Sequence, residues 1–317
     1  MTVHECWLIC ALDSFGLHDK KNGRAGRMQM VFHIGVHGTD GDRLLKTLLN
    51  NRDWLLGNGT EVVSPARHRG LFDEAIMALK GGAATPEMQQ IMLDAMLDSA
   101  APQRVVMSSP LLLGSAGRAV GREGLYPQIG ARVSALANLF PQTQAEFFVA
   151  IRNPAVLLSK LLPQMGCSYE AMMQGCAVRD LRWRDTIRRL VSAAQGRRVV
   201  VWCHEDVPMI WPELLRLAGD MPPEAPLSGA LLYMQELLGE AGMARLRAAL
   251  AGRDQITIAQ RRRICAAVLA DHILPDALDE DIALPGWTQQ TVDHVTDAYR
   301  ADVAEIAVLP GVEFVMP

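Results

Sequence analysis

The sequence predicts an α/β protein in which a parallel sheet is flanked by helices. Short apolar segments alternate along the chain with longer segments whose apolar residues recur at helical spacing. Residues 30–46 pass from an apolar strand through a glycine-punctuated turn into a helix, a common way to build an anion site in an α/β protein. Residues 145–151 are apolar enough to lie at the centre of a parallel sheet.

The chain has 317 residues, half of them hydrophobic, which is enough to bury a substantial core. Residues 1–27 fit the alternation poorly, because isolated apolar residues lead into a polar, glycine-rich run, and we expect a loose leader there. Residues 28–317 are predicted to form a single domain, of which about 225–311 is mostly helical.

The elements can be placed in order from their apolar patterns and terminal residues. Gly57-Asn-Gly59 marks the end of the first helix, Pro154 suits the first turn of a later helix, and Asp206 is expected to cap the helix that follows it. The glycine-rich stretch 114–124 is predicted to be a loop, either an ordinary surface connection or a segment that closes over a ligand. Strands are predicted at 31–36, 61–65, 104–108, 145–151 and 198–203, and a short apolar segment, 312–315, closes the chain. The first helix is predicted at 41–56. Other helices are predicted at 68–80, 86–99, 127–140, 179–195, 231–238, 241–250, 257–274 and 288–307.

The charge of the chain gives no reason to expect a nucleic-acid partner, because the net charge is −4 and the isoelectric point is about 6.1. Arginines cluster at 179–189 and 261–263, but each cluster lies among apolar residues and is interpreted as the solvated face of an amphipathic helix. The longest apolar run near the N-terminus, 6–12, is far shorter than the roughly 20 residues that cross a bilayer. No transmembrane segment is therefore predicted.

The six cysteines form no Cys-x-x-Cys pair and have no histidine at a spacing typical of zinc ligands. They are interpreted as reduced thiols of a cytoplasmic protein, and no metal site is predicted. The chain also lacks the G-x-x-x-x-G-K-[ST] and G-x-S-x-G motifs, which disfavours a nucleotide kinase, an NTPase or a hydrolase of that kind.

Four segments together carry a resemblance to a known family. They are His33-Ile-Gly-Val-His37 with the turn and Leu44 after it, Asn51-Arg-Asp-Trp-Leu-Leu with Gly59, Arg152-Asn-Pro154, and 202–206 at the end of a strand. In order and spacing they resemble bacterial sulfotransferase-like proteins, whose loop reads approximately H-I-G-x-H-K-T-G-T-T-x-L and whose later elements include N-R-x-x-L and R-[DN]-P. Tyr299-x-x-Asp302 is a weaker match.

The resemblance implies a P-loop-type nucleotide fold and a donor, 3′-phosphoadenosine 5′-phosphosulfate (PAPS), from which a sulfuryl group passes to a hydroxyl or an amine. In such a site, backbone amides and the helix dipole hold the phosphosulfate, and a lysine neutralises the charge that develops on the leaving oxygen. The R-[DN]-P arginine, here Arg152, would bind the 3′-phosphate. A histidine near the transferred group would activate the acceptor, which makes His37 and His204 the catalytic candidates.

The donor loop of this chain departs from the family pattern. The family lysine falls on Gly38, the glycine two residues later on Asp40, and the next two threonines on Gly41 and Asp42, whereas Thr39 is retained. Each carboxylate would repel a phosphosulfate by about 1–4 kcal/mol at a few ångströms, depending on the effective dielectric. The two aspartates also suit a structural role as caps of the helix that follows.

Two functional hypotheses stay open. The first is a sulfotransferase-like protein that has lost standard PAPS-dependent transfer and acts as a binding or regulatory module, and the second is an active sulfotransferase with a rearranged donor site. A working site would use PAPS, or its product 3′-phosphoadenosine 5′-phosphate (PAP), as cofactor, and the partner would be another protein or a small-molecule or glycan acceptor. Lys160 takes the place of a family serine, next to Ser159. The candidate donor-site residues are Gly38, Thr39, Asp40, Gly41, Asp42, Arg43, Arg152 and Ser159.

Overall fold

The computed structural model describes residues 27–68, 70–252 and 256–317, so nearly all of the expected leader lies outside the described residues. The strands are β1 (Gln29–His33), β2 (Thr60–Val63), β3 (Arg104–Ser108), β4 (Val120–Gly121), β5 (Gly124–Leu125), β6 (Gln144–Ile151), β7 (Arg198–Cys203) and β8 (Val312–Val315). The helices are α1 (Arg43–Asn50), α2 (Arg52–Gly57), α3 (Pro65–His68), α4 (Leu71–Leu79), α5 (Pro86–Met96), α6 (Ile129–Leu139), α7 (Pro154–Met165), α8 (Tyr169–Met173), α9 (Trp183–Ala194), α10 (Val207–Gly219), α11 (Leu232–Leu250), α12 (Ile258–His272) and α13 (Gln289–Ala307). Turns of 3₁₀ helix lie at Pro110–Leu113, Ala116–Arg118, Val178–Asp180 and His204–Asp206.

Six of the described strands form one sheet in the order β2-β3-β1-β6-β7-β8, and every neighbouring pair is parallel. β1 lies inside this sheet, with Phe32 opposite Met107 of β3 and Phe147 of β6. The strands β4 and β5 form a short antiparallel ribbon at the end of the stretch 114–124 that was predicted as a loop, and the ribbon extends one residue beyond it. The prediction of an α/β protein with a parallel sheet flanked by helices is therefore confirmed.

Helices cover both faces of the sheet because successive side chains of each strand enter two different cores. On β1, Met30 and Phe32 belong to one core and Val31 belongs to the other. The first core packs on α4–α9 and α13, and the second packs on α1, α2 and α10–α12. The carboxyl ends of the central strands are thus left for the loops that build the candidate site.

Several helix ends follow the signals in the sequence. Pro154 occupies the first turn of α7, as predicted, and the Asn153 side chain accepts a hydrogen bond from the Ala155 amide at 3.0 Å. Gly59 follows α2 with a φ of +79°, which agrees with its predicted place at a helix end. Asp206 stands at the N-cap position, directly before α10, but its side chain makes no capping hydrogen bond, so its predicted capping role is wrong.

The predicted helix at 41–56 is two helices because Asn51 interrupts it. The Asn51 side chain donates hydrogen bonds to the carbonyls of Thr47 and Ser228, at 2.7 and 3.1 Å, and accepts one from the Ser228 amide at 2.9 Å. These bonds fasten the break to the segment that precedes α11. At the other end of the chain, the apolar residues 312–315 form β8 and add an edge strand beside β7.

The arginine clusters make ion pairs between helices, which corrects their interpretation as solvated faces. Arg182, just before α9, contacts Asp302 of α13 at 2.6 Å, and the Asp302 side chain is only 1% exposed. Arg261 of α12 contacts Glu213 of α10 at 2.8 Å. Arg182 and Arg261 therefore join neighbouring helices, as their charge and length allow, whereas the Arg179 side chain is 83% exposed, as the interpretation of a solvated face expects.

Two observations bear on membranes and thiols. Among the described helices, none is long and apolar enough to span a membrane. Cys167, Cys176 and Cys265 carry free thiols, whereas Cys6 and Cys10 lie outside the described residues.

Candidate functional site

The glycine-rich loop 34–42 leaves β1 at the carboxyl edge of the sheet. In the sheet, β2 and β3 lie on one side of β1, and β6–β8 lie on the other. The chain connections that follow the strands therefore diverge at β1. Ligands of open α/β sheets bind outside the strand carboxyl ends at such a point. Gly35 has a φ of +95°, and a β-carbon there would lie 3.1 Å from the Cα atom of Pro110. The loop therefore begins at a position that requires glycine.

The polar side chains of the loop bond mainly to nearby backbone. Thr39 Oγ1 donates a hydrogen bond to the Val36 carbonyl at 2.6 Å, and Asp40 Oδ2 accepts one from the Leu44 amide at 3.1 Å. Asp40 is buried and caps the first turn of α1, which confirms its predicted role. Asp42 is exposed, has a φ of +67° and makes no capping hydrogen bond, so for Asp42 the prediction is wrong.

Arg152 follows β6 and reaches the loop. Its guanidinium donates one hydrogen bond to the Gly38 carbonyl and another to the carboxylate of Glu280. Lys160 of α7 contacts the second oxygen of the same carboxylate at 2.9 Å. The Arg152 side chain is only 10% exposed, whereas that of Lys160 is 47% exposed. Two cations thus hold one carboxylate beside the loop.

Ser159 lies at the same place and contacts the segment that contains Glu280. Its hydroxyl donates a hydrogen bond to the Asp281 carbonyl at 3.0 Å. A β-carbon at Gly38 would lie 3.6 Å from that of Lys160, so the loop also approaches the middle of α7. Of the predicted donor-site residues, the structure brings Gly38, Arg152 and Ser159 together around this segment.

Arg43 begins α1 and is directed to α11. Its Nη2 donates a hydrogen bond to Glu236 at 2.9 Å, and its Cζ atom lies 5.2 Å from the centre of the Tyr233 ring. Its Nη1 approaches the Asp40 carbonyl at 3.4 Å. The Arg43 cation is therefore paired with a carboxylate of α11.

His37 is enclosed at the start of the loop. Its Nδ1 lies 3.1 Å from the Tyr126 hydroxyl, which also accepts a hydrogen bond from the His37 amide at 3.1 Å. The two rings are stacked, with their centres 5.9 Å apart. Burial lowers the pKa of His37, although the Gly114 backbone acts in the opposite direction. His37 is therefore a neutral side chain that packs on Tyr126.

His204 lies directly after β7. Burial, together with the charges of Arg152 and Arg43, lowers the pKa of His204 to about 3. Its ring stands edge-on to that of Tyr233 at 6.3 Å, and its Nδ1 has no hydrogen-bond partner among the described residues. The imidazole is neutral, as a general base requires, but so low a pKa makes it a weak proton acceptor.

Glu205 joins three of the segments that carry the family resemblance. Its Oε1 accepts a hydrogen bond from the Asn153 amide, and its Oε2 accepts one from the Tyr299 hydroxyl, both at 2.8 Å. Part of the Glu205 side chain is exposed to solvent. The loss of water around its carboxyl group, caused by the surrounding protein, nevertheless raises the pKa of Glu205. In the Tyr-x-x-Asp segment, the Asp302 carboxylate accepts a hydrogen bond from the Trp183 amide at 2.8 Å. The Arg-Asn-Pro, Glu-Asp and Tyr-x-x-Asp segments therefore occupy one contiguous part of the fold.

Comparison with known proteins assigns no function to this site. No family model, curated protein or solved structure matches this chain.

The charges around the loop decide whether PAPS fits the site. Asp40 places a buried carboxylate in the loop, no lysine occurs within 34–42, and Arg152 is already paired with Glu280. Because these carboxylates would repel a phosphosulfate, the site in this arrangement does not fit PAPS.

Open grooves on the surface involve other residues. One of about 510 Å³ lies between α6 and α9 and is lined in part by Ser134 and Arg188. Another of about 390 Å³ is lined in part by Val178 and His294. Neither is lined by a predicted site residue. In the described part of the chain, no group of three or more His, Cys, Asp or Glu side chains is arranged to hold a metal ion.

Sequence reasoning does not identify Glu280, the residue that neutralises Arg152. A local signal exists, because Asp279-Glu-Asp281 is an acidic run between two helices. Such runs are usually solvated, so the signal does not point to a buried arginine. Tyr126, which positions His37, is also not identified, because its contact with the loop spans 89 positions of sequence.

Proposed function

We propose that this chain is a sulfotransferase-like protein that has lost standard PAPS-dependent sulfuryl transfer and acts as a binding or regulatory module. The observation that carries the proposal is the pairing of Arg152 with Glu280. The cation expected to meet a phosphate of the donor meets a carboxylate of its own chain instead.

The order of the elements supports the sulfotransferase-like part of this proposal. A glycine-rich loop links β1 to α1, and β1 lies between β3 and β6 in the sheet. This arrangement is typical of doubly wound folds that bind nucleotides at the strand carboxyl ends. The Arg-Asn-Pro segment follows β6, the Glu-Asp pair follows β7, and Glu205 connects them through the Asn153 amide.

The chemistry of the loop supports the loss of transfer. Gly38 stands where the family has its lysine, so the loop supplies no cation to the leaving oxygen. The Thr39 hydroxyl donates to the Val36 carbonyl, and the Asp40 carboxylate accepts the Leu44 amide. The loop's polar groups are therefore used to hold the loop and begin α1.

Calorimetry with PAP tests the proposal. We expect that PAP does not bind the wild-type chain with micromolar affinity and that the Arg152→Ala variant gives the same result. The matched control is Arg179→Ala, because the Arg179 side chain is 83% exposed. Micromolar binding that is lost in Arg152→Ala and kept in Arg179→Ala would overturn the proposal.

A second candidate is an active sulfotransferase with a rearranged donor site. It is favoured by one observation, namely that Arg152 and Lys160 converge on a single carboxylate and so present two cations to an oxyanion. The test is transfer of label from PAPS to a panel of glycans, small alcohols and amines. Transfer that Arg152→Ala abolishes would favour the enzyme. If no member of the panel receives label and PAPS does not bind, the hypothesis of an active enzyme has no support.

A further inference from the structure

The connection between α12 and α13, residues 273–288, lies across the candidate site, and we call it the strap. Both of its ends are anchored. Near the first end, Leu274 packs on the kink of α11, where a β-carbon at Gly239 would lie 3.1 Å from the Leu274 side chain. Near the second end, Ile282 and Leu284 are buried in the first core. Leu274 is 42% exposed, and its amide also donates a hydrogen bond to the Leu237 carbonyl at 2.8 Å. The strap is therefore held to α11 at one end and by buried apolar side chains at the other.

The middle of the strap, 275–281, is held by polar contacts. None of its side chains belongs to either core. The carboxylate of Glu280 bonds to Arg152 and Lys160, and a strap carbonyl accepts the Ser159 hydroxyl at 3.0 Å. These contacts can exchange with water or with another anion without exposing apolar core. Lifting the middle would therefore withdraw no side chain from either core.

We infer that the strap is an autoinhibitory device in which Glu280 occupies the position of an external oxyanion between Arg152 and Lys160. The ligand class is a small molecule that carries a phosphate or sulfate group, and it reaches these cations only when the middle of the strap lifts. The inference rests on the proposed function in one respect, namely that Arg152 marks an anion site.

Displacement of Glu280 exchanges one anion for another between the same two cations. The Coulomb energies of the two arrangements are therefore similar when the external anion carries one charge, and a dianion gains more from the pair than a carboxylate does. Glu280 has the advantage of being tethered, since attachment through both strap ends gives it a high effective concentration. The apparent affinity for an external oxyanion is then reduced by the fraction of molecules in which the strap is open.

Hydrogen exchange and anion titration together test the strap. Glu280→Gln removes the charge, and Glu280→Ala removes the acceptor as well. Asp279→Asn is the matched control, because Asp279 is exposed and its side chain makes no contact with the two cations among the described residues. We expect both Glu280 variants to speed amide exchange in 273–288 by about tenfold and to bind inorganic pyrophosphate about tenfold more tightly than wild type. Asp279→Asn should match wild type in both measurements.

The inference is overturned if both Glu280 variants exchange as slowly as wild type, or if pyrophosphate binds wild type and the variants equally. Adding Arg152→Ala to Glu280→Gln should abolish the gained affinity, and an unchanged affinity would also overturn the inference. The proposed function fails on a different result, which is Arg152-dependent binding of PAP to the wild-type chain. Either can therefore fail while the other holds.

Discussion

The hydroxyl of Tyr299 donates a hydrogen bond of 2.8 Å to the carboxylate of Glu205. This bond ties α13 to the end of β7. Because the same carboxylate also accepts the Asn153 amide, it fixes the backbone next to Arg152. The C-terminal helix therefore helps to position the candidate anion site, although it lies far from that site in the sequence.

Removal of the Tyr299 hydroxyl should weaken the fold. We expect Tyr299→Phe to lower the free energy of unfolding by about 1–2 kcal/mol, because Glu205 loses a donor within the protein. Urea unfolding measures the change. Tyr233→Phe is the control, since the buried Tyr233 hydroxyl donates no hydrogen bond to a carboxylate among the described residues, and it should change stability by less than about 0.5 kcal/mol. Equal losses in the two variants would contradict the prediction.

The two aspartates of the loop should differ in their effect on α1. Asp40→Ala removes the acceptor of the Leu44 amide, and we expect it to cost about 1 kcal/mol of unfolding free energy. Asp42→Asn removes a charge at the same helix end but no capping bond, and asparagine tolerates the φ of +67° there, so its cost should be well below that of Asp40→Ala. Thermal or urea unfolding compares the two. A larger loss at Asp42 would show that the capping assignment is wrong.

Asp206 should make the fold less stable as the pH rises. Burial and the charge of Glu205 raise the pKa of Asp206 from 3.8 to about 7, although Arg262 acts in the opposite direction. Between these two values, the folded state retains a proton that the unfolded state has released. The contribution of Asp206 to the free energy of unfolding therefore falls with rising pH and levels off above the folded pKa.

Asp206→Asn tests this dependence because an amide does not titrate. We expect the variant to exceed wild type by about 1–3 kcal/mol in unfolding free energy near pH 8, and the difference should shrink towards about pH 4. Urea unfolding across this range measures it. Asp279→Asn, at an exposed carboxylate, is the control and should show no such trend. A difference between Asp206→Asn and wild type that is constant with pH would refute the assignment.

The buried ion pair between Arg104 and Glu146 should matter far more than an exposed one. Their charged groups are 3.0 Å apart, and their side chains are 4% and 9% exposed. Arg104→Met should lower the unfolding free energy by about 3 kcal/mol because Glu146 stays buried, with Arg198 at 3.1 Å limiting the loss. Arg52→Met breaks a pair whose side chains are each 48% exposed and should cost under about 1 kcal/mol. Similar costs in a urea titration would argue against this difference.

The sheet and the loop were predictable because their signals are local. Within the strands at 104–108 and 198–203, the residues 105–107 and 199–203 are apolar since both faces of a parallel sheet are covered by helices. The loop 34–42 shows its glycines and its acidic side chains directly in the sequence. Asn51 is the counterexample, because its break in the first helix depends on bonds to Ser228, far along the chain.

The sequence by itself therefore determined a parallel α/β fold with an acidic loop that lacks a lysine, because these properties depend on residues that are neighbours in the chain. Only the tertiary structure decided that Arg152 meets Glu280, which lies 128 positions away. The strap reaches Arg152 because one end is bonded to α11 at Leu274 and the other is packed in the core at Leu284. Ion pairing depends on distance in space, and no local pattern of residues encodes that distance.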